Sequence, residues 1–447
     1  MYNNININKR NDDMEILSLG EKIKFKRKEK NMTLKELAGD RITPGQISLV
    51  ESGKSNPSIE LLEYIAQRLD TDIEYFLESE EKQATRICEL YIDIALSAIN
   101  AENYLKAKEI IEKGYHYAKE YNLNYYKGKF DMALAKIKYS NGEYEEAQKF
   151  CISANSYFLQ EGNIDDIISS FILLGEITYK MEFIKGALNY FMQADAMLNE
   201  YDYINEYLKA KLYYNIALCN YKLKNLSQAI NFAMLAESKL KIIEDKKEYG
   251  NTLMLLSIAY EEKNNLKEAL NYAKKARKVF DEIENLKEIA NMETNLGVIF
   301  AKGNNFEESF EHLNKALKIK IESNDSTIAD TVFKICNNYM ALNQYDKAAE
   351  LINDLFEKLG DNQINYRIKY YEYMFDIYKK QGDFKKSEEI LLGLIKYLEK
   401  LDNKLQLADY YIKLGRFYNE LQEKDLSLLY INKGIEIYED YGIILNK

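Results

Sequence analysis

The sequence predicts an all-α protein in two parts, a short helical head followed by a long array of helix hairpins. Three observations predict it. Helix breakers are scarce, with 2 Pro and 19 Gly in 447 residues, whereas sandwiches and barrels need turn residues every ~8–12 positions. A pattern of large and small residues returns about every 40 positions between residues 88 and 442. Residues 14–77 do not share that period and carry helix-start signals of their own.

Composition narrows the chemistry. At 47% hydrophobic and 30% charged the chain can bury a core, which excludes wholesale disorder. His116 and His312 are the only histidines, so a multi-histidine metal site is excluded and histidine catalysis has little to draw on. Cys88, Cys151, Cys219 and Cys336 lie dozens of residues apart with no CxxC, which indicates neither zinc nor a redox pair and fits a reducing cytoplasm. MYNNININKRNDD lacks the apolar stretch of a signal peptide, and residues 167–177 are too short to span a membrane. A cytoplasmic protein without cofactor, metal or membrane partner is expected. Residues 1–57 hold 11 Lys/Arg against 8 Asp/Glu in a chain of net charge −11, a basic head on an acidic body. That suits a head that meets polyanions, although such a bias is also an ordinary solvated face.

Residues 1–13 read as a disordered arm and residues 14–77 as the head. Thr33-x-x-Glu36 is a capping box, and Gly39 follows the end of the helix it opens. Thr43-Pro44-x-Gln46 opens the next helix with an N-cap hydroxyl, Pro at N1 and a box partner at N3. Asn56-Pro57-Ser58 precedes an amphipathic helix with Ile59, Leu62, Ile65, Ala66 and Leu69 inward. Short helix, tight turn, short helix is the helix-turn-helix. With Ala38 at a small position, and Glu51-Ser52-Gly53-Lys54 followed by Asn56-Pro57-Ser58, the stretch resembles the Xre/434-repressor-like DNA-binding domain over its full length. The resemblance implies a structural Arg27–Glu51 pair and a recognition helix at 43–51 that enters the major groove of double-stranded DNA. Gln46 would address a base edge or phosphate, Thr43 and Ser48 would donate to phosphate, and Gly45 would let backbone approach. Lys22, Lys24, Lys26, Lys28 and Lys54 would meet further phosphates. Leu34 and Leu49 stand where relatives often carry polar contacts, so shape readout gains weight. The competing use of the head is dimerisation or protein contact. Gly53-Lys54-Ser55 is no phosphate loop, because Ser48 stands where that motif needs glycine.

Residues 78–87 read as a helical connector and 88–447 as the repeats. A large residue followed by a small one three positions later occurs at Tyr104…Ala107, Tyr144…Ala147, Phe183…Gly186, Leu226…Ala229, Leu266…Ala269, Phe306…Ser309, Tyr345…Ala348, Phe384…Ser387 and, degenerate, Lys424…Ser427. Nine positions upstream stands a mostly small residue, with Leu174 beside Gly175 in the third unit, and ten downstream another often follows. Small residues at these phases let antiparallel helices approach closely. The rhythm resembles the tetratricopeptide repeat (TPR) family, stretched from its usual ~34 residues to about 40. The resemblance implies about nine hairpins in a right-handed superhelix whose A helices line a concave binding surface.

Head plus repeats resembles the Rap–Rgg–NprR–PlcR–PrgX (RRNPP) quorum-sensing receptors. That implies a homodimeric transcription regulator on operator DNA, switched by a short linear peptide in the TPR groove. A peptide needs both donors and acceptors for its backbone, and asparagine supplies both. Helix interiors disfavour Asn, yet A helices carry Asn215, Asn251, Asn291, Asn295 and Asn337; the resemblance makes these backbone grips, while Asn is also common at this phase. Lys211, Tyr214, Tyr221, Met254 and Thr294 lie near enough to form side-chain pockets. Two other readings stay open. One is a TPR scaffold for protein partners. The other is an antagonist of response regulators, although no acid–base constellation calls for catalysis and no enzyme is expected.

Overall fold

The computed structural model describes residues 16–201, 205–243, 245–358, 363–401 and 403–443. The arm expected at 1–13 lies outside them. Among the described residues there are 23 helices and no strand. The chain divides into two compact units, Met1–Lys224 and Asn225–Lys447, so the division falls within the repeats.

The head comprises α1 (Leu19–Glu29), α2 (Leu34–Ala38), α3 (Pro44–Glu51), α4 (Ile59–Leu69) and α5 (Ile73–Leu77). Ile23, Leu37, Ala38, Ile47, Val50, Leu62, Ile65, Leu69 and Phe76 form its core. Both capping boxes close: Thr33 Oγ1 accepts from Glu36 N and Thr43 Oγ1 from Gln46 N, while the Glu36 and Gln46 side chains accept from the Thr33 and Thr43 amides. Glycine is required at position 20. A Cβ there would stand 2.4 Å from Val50 O, so α1 starts hard against the end of α3.

The connector expected at 78–87 is not a separate segment. Helix α6 runs Glu80–Asn100 as one piece from its N-cap Ser79. Its first turns bury Gln83, Ala84 and Ile87, and no breaker separates them from Cys88 and Tyr91, so burial carries the helix straight into the first repeat. Gln83 clasps the chain ahead of α1: Leu17 N donates to its Oε1 at 3.1 Å and its Nε2 donates to Leu17 O at 2.9 Å.

In the first unit α6 packs on α7 (Tyr104–Glu120), α8 (Asn124–Ser140) on α9 (Tyr144–Glu161) and α10 (Ile164–Lys180) on α11 (Ile184–Glu200), with α12 (Glu206–Lys222) following. The second unit opens with α13 (Leu226–Ile243). There α14 (Lys246–Glu262) packs on α15 (Leu266–Glu282), α16 (Leu286–Lys302) on α17 (Phe306–Glu322), α18 (Ile328–Ala341) on α19 (Tyr345–Lys358), α20 (Ile364–Gln381) on α21 (Phe384–Glu399) and α22 (Lys404–Glu420) on α23 (Lys424–Asp440). In chain order these are nine A–B pairs. The period follows from their dimensions, because α7 and α8 are 17 residues each and three-residue turns join such helices.

Each A–B turn holds one residue at positive φ two positions before helix B: Glu102, Gly142, Glu182, Lys224, Asn264, Asn304, Asn343, Gly382 and Gln422. This regularity corrects the third unit. Its large residue is Ile184 rather than Phe183, which is 64% exposed, and its small residue is Ala187, fully buried, rather than Gly186. The upstream small residue is then Gly175, whose Cβ would meet the Phe191 ring at 2.4 Å. The downstream one is Ala194, also fully buried. With the register shifted by one, every first-position small residue is buried: Ala107, Ala147, Ala187, Ala229, Ala269, Ser309, Ala348, Ser387 and Ser427.

Candidate functional site

Helix α3 sends Ile47 and Val50 into the head core and leaves Thr43, Pro44, Gly45, Gln46, Ser48 and Leu49 exposed. Gln46 Oε1 accepts from Thr43 N at 3.0 Å, so its acceptor serves the cap and its amide donors are what it has for a base edge. Arg27 and Glu51 form a bidentate pair at 2.7 and 2.8 Å, and Arg27 Nη1 donates to Met32 O at 2.8 Å. The Glu51 hydrogen bond holds the guanidinium above its ordinary pKa. This pair locks α1 to the end of α3 and leaves neither charge for DNA.

The lysines of α1 separate into two groups. Lys22 does not meet phosphate. It is 1% exposed, and its ammonium donates to Tyr75 O at 2.8 Å and Glu78 O at 2.7 Å, capping the end of α5. Desolvation lowers its pKa, with Glu78 opposing. Lys26 pairs with Glu29 at 2.7 Å, lies over the Tyr75 ring and lines a cavity with Glu63, Asp70 and Asp72; its charge is committed beside α4 and α5. Lys24, Lys28 and Lys54 are exposed.

In the first unit, Lys211, Tyr214 and Asn215 are half-buried on α12. Lys211 Nζ lies 2.7 Å from Glu176 Oε1 on α10, and Asn215 Nδ2 donates to the same oxygen at 3.4 Å. One step along, Lys129 of α8 pairs with Asp166 of α10 at 3.0 Å. Burial opposes the Lys129 charge, but the Asp166 hydrogen bond and charge outweigh it and raise its pKa. Polar links thus run along the A helices α8, α10 and α12.

In the second unit, Asn251, Met254, Asn291 and Asn295 are half-buried and Asn337 is exposed, on α14, α16 and α18. Polar links again cross the A helices. Ser257 Oγ, fully buried, lies 2.8 Å from Asn295 Oδ1, and Thr294 and Thr331 hydroxyls lie 3.4 Å apart. The single Ser257 hydroxyl proton can go to Asn295 Oδ1 or to Ala269 O at 2.9 Å. Asn291 Nδ2 donates to Glu288 Oε2 at 3.2 Å. Asn337 lines a cavity of ≈ 400 Å³ with Lys302, Lys334 and Asn338. The five residues of this unit lie on the A helices α14, α16 and α18.

Elsewhere the chemistry is structural. His312 stacks on Phe300 and its Nδ1 lies 2.6 Å from Glu293 Oε2, while Arg277 Nε donates to Glu293 Oε1 at 2.5 Å. Burial pushes the Glu293 carboxyl up, but His312 and Arg277 hold it below the usual carboxylate range. His116 is exposed beside Glu120. The four cysteines are buried and free, and burial raises each thiol to about 12.

Comparison with known proteins bears on the arrangement. The helix-turn-helix family matches residues 23–76, the soluble NSF attachment protein (SNAP) family residues 207–376 and the tetratricopeptide repeat family residues 408–441. No curated protein sequence matches the chain. Among solved structures, the apo form of the quorum sensor NprR from B. thuringiensis aligns over 78% of this chain and 98% of its own, with a TM-score of 0.57 and 17% identity. The chain shares the fold of that structure. A signal transduction ATPase with numerous domains (STAND) from Pyrococcus horikoshii, PH0952, which has a tetratricopeptide repeat sensor, aligns over 86% of this chain and 57% of its own, at TM-score 0.53 and 13% identity.

Within this fold three residues stand out that sequence reasoning missed. Gln83 ties the chain ahead of α1 to the first repeat. Glu176 gathers Lys211 and Asn215. Lys136 stands exposed on α8 near the charged pairs. No local motif marks any of them. The available signal was a charged or amide side chain on an A helix, a position where apolar packing residues dominate.

Proposed function

We propose that this chain is a cytoplasmic, homodimeric transcription regulator that binds double-stranded DNA through α3, and whose A-helix surface binds a short linear peptide that alters DNA binding. The observation that carries the reading is a complete, doubly capped helix-turn-helix. It leaves the N-terminal side chains of α3 exposed and is tied by Gln83 to a repeat array. The Gly45 amide at the α3 N-terminus suits a phosphate. Phosphate contacts fall to Thr43, Ser48, Lys24, Lys28 and Lys54, because Lys22 and Lys26 are spent elsewhere. Base readout rests on the Gln46 amide donors and on DNA shape, since Pro44, Gly45 and Leu49 carry no hydrogen-bonding side chain. A single head of this kind covers roughly 600–1,000 Å², so two heads on half-sites ~34 Å apart supply the missing affinity. On the second unit, Asn251, Asn291, Asn295 and Asn337 offer a peptide backbone its partners beside Met254; on the first unit, taken by itself, Asn215 offers the same chemistry beside Lys211 and Tyr214.

Fluorescence anisotropy on DNA from upstream of the chain's own gene tests this. Binding is expected to fall steeply with salt. In the Lys24→Ala/Lys54→Ala double variant, affinity drops for all sequences and the salt slope flattens by about two. An unaltered slope removes these lysines from the interface. No binding at any salt, with or without peptides from culture medium, refutes the regulator and favours the scaffold reading.

A further inference from the structure

Five charged side chains of the first unit meet on three A helices. Lys129 and Lys136 stand on α8, Asp166 and Glu176 on α10, and Lys211 on α12. The two carboxylates are already taken: Asp166 by Lys129 at 3.0 Å, and Glu176 by Lys211 at 2.7 Å with Asn215 adding a hydrogen bond at 3.4 Å. Lys136 has no carboxylate within ion-pair distance among the described residues. Its side chain is exposed, so a ligand can reach the ammonium. The protein around it nevertheless desolvates it. Desolvation is the largest influence lowering its pKa, followed by Lys129 and Lys211, and Asp166 and Glu176 only partly offset them. The cluster carries three cations against two anions in a chain of net charge −11. An anion is repelled by most of this protein and attracted here.

We propose that Lys136 is the anion-recognition point of the peptide surface and takes a carboxylate of the bound peptide, with Lys129 and Lys211 as flanking positive charge. This rests on the peptide-binding reading and narrows it: the ligand brings at least one carboxylate, from its C-terminus or from an acidic side chain. A charge-assisted hydrogen bond to an ammonium is among the stronger single contacts available. It also sets the peptide's direction if the C-terminus supplies the group.

The test uses the full-length chain, immobilised, and three pools of random heptapeptides. One pool has free C-terminal carboxylates and no Asp or Glu. The second is C-terminally amidated and contains Asp and Glu. The third is amidated and free of acids. The chain is expected to retain one or both carboxylate-bearing pools and not the third, and the retained pool identifies the source. Lys136→Gln and Lys136→Met lower that retention by about tenfold or more, Lys136→Arg keeps most of it, and all three variants melt like the parent. Equal retention of the acid-free amidated pool, or retention unchanged in Lys136→Gln, overturns the assignment while leaving peptide binding intact. Retention of no pool overturns the peptide reading and this assignment with it.

Discussion

Replacing Arg27 by alanine tests what holds the head together. The Arg27 and Glu51 side chains are 13% and 7% exposed, and Arg27 makes three hydrogen bonds, two to the carboxylate and one to Met32 O. Removing one partner of a buried pair costs about 3–5 kcal/mol, because the remaining charge stays buried without compensation. Residual exposure puts this case at the lower end, about 3 kcal/mol. A helical head this small holds only about 3–5 kcal/mol in total. The variant head should therefore open frequently at room temperature while the repeats stay folded. Hydrogen–deuterium exchange resolves the two regions. Amides of α1 and α3 are expected to lose roughly a hundredfold in protection, while those of α14 to α17 keep theirs. DNA affinity should fall with the folded fraction of the head. The double variant Arg27→Met/Glu51→Leu removes both charges and should recover most of the loss. A single-variant cost below about 1 kcal/mol, or a double variant no better than the single, refutes the reasoning that the pair is buried and mutually dependent.

Three more perturbations probe the rest of the fold. Gly175→Ala places a methyl 2.4 Å from the fully packed Phe191 ring and should destabilise the first unit by about 1–3 kcal/mol; an unchanged urea midpoint would show that the α10–α11 contact is looser than described. Gln83→Ala leaves Leu17 N and O without their partner and should raise exchange at residues 17–22 by a factor matching about 1–2 kcal/mol, with α8 to α11 unaffected. The four thiols are raised to about 12 by burial, so thiolate is scarce below that pH; a disulfide reagent at pH 8 should label none of them within minutes in the native chain and all four in guanidinium, and one fast thiol would contradict its burial.

Much of this architecture was legible along the chain because it depends on local chemistry. The Thr33–Glu36 and Thr43–Gln46 capping boxes are four-residue patterns whose donors and acceptors lie within one turn. The hairpin array was legible for a different reason. The same steric problem recurs nine times, and each recurrence places a small residue where two helices cross. The third repeat shows the limit. Phe183 and Ile184 are adjacent apolar residues, and the pattern alone favoured the aromatic; the turn at Glu182 and the Gly175–Phe191 contact decide for Ile184. A one-residue slip turns every side chain of a helix by about 100°, and only packing partners can detect it. That the helix expected at 78–87 runs on into the first repeat could not be read from the sequence, because burial of Gln83, Ala84 and Ile87 depends on what lies across from α6.

The candidate surfaces divide in the same way. Sequence alone determined which residues α3 offers, because a capped eight-residue helix with Ile47 and Val50 inward leaves only the others outside. It also determined that asparagines recur on the A helices. It could not separate Lys22 from Lys24, two residues of one lysine-rich helix that differ in nothing local. The carbonyls of Tyr75 and Glu78 separate them, and these are brought there by the return of α5 more than fifty residues later. Nor could it show that Lys129 and Lys211 are neutralised by Asp166 and Glu176 while Lys136 is left without a partner. A charge's value depends on what lies within a few ångströms of it, and for residues dozens of positions apart that distance is a property of the tertiary structure.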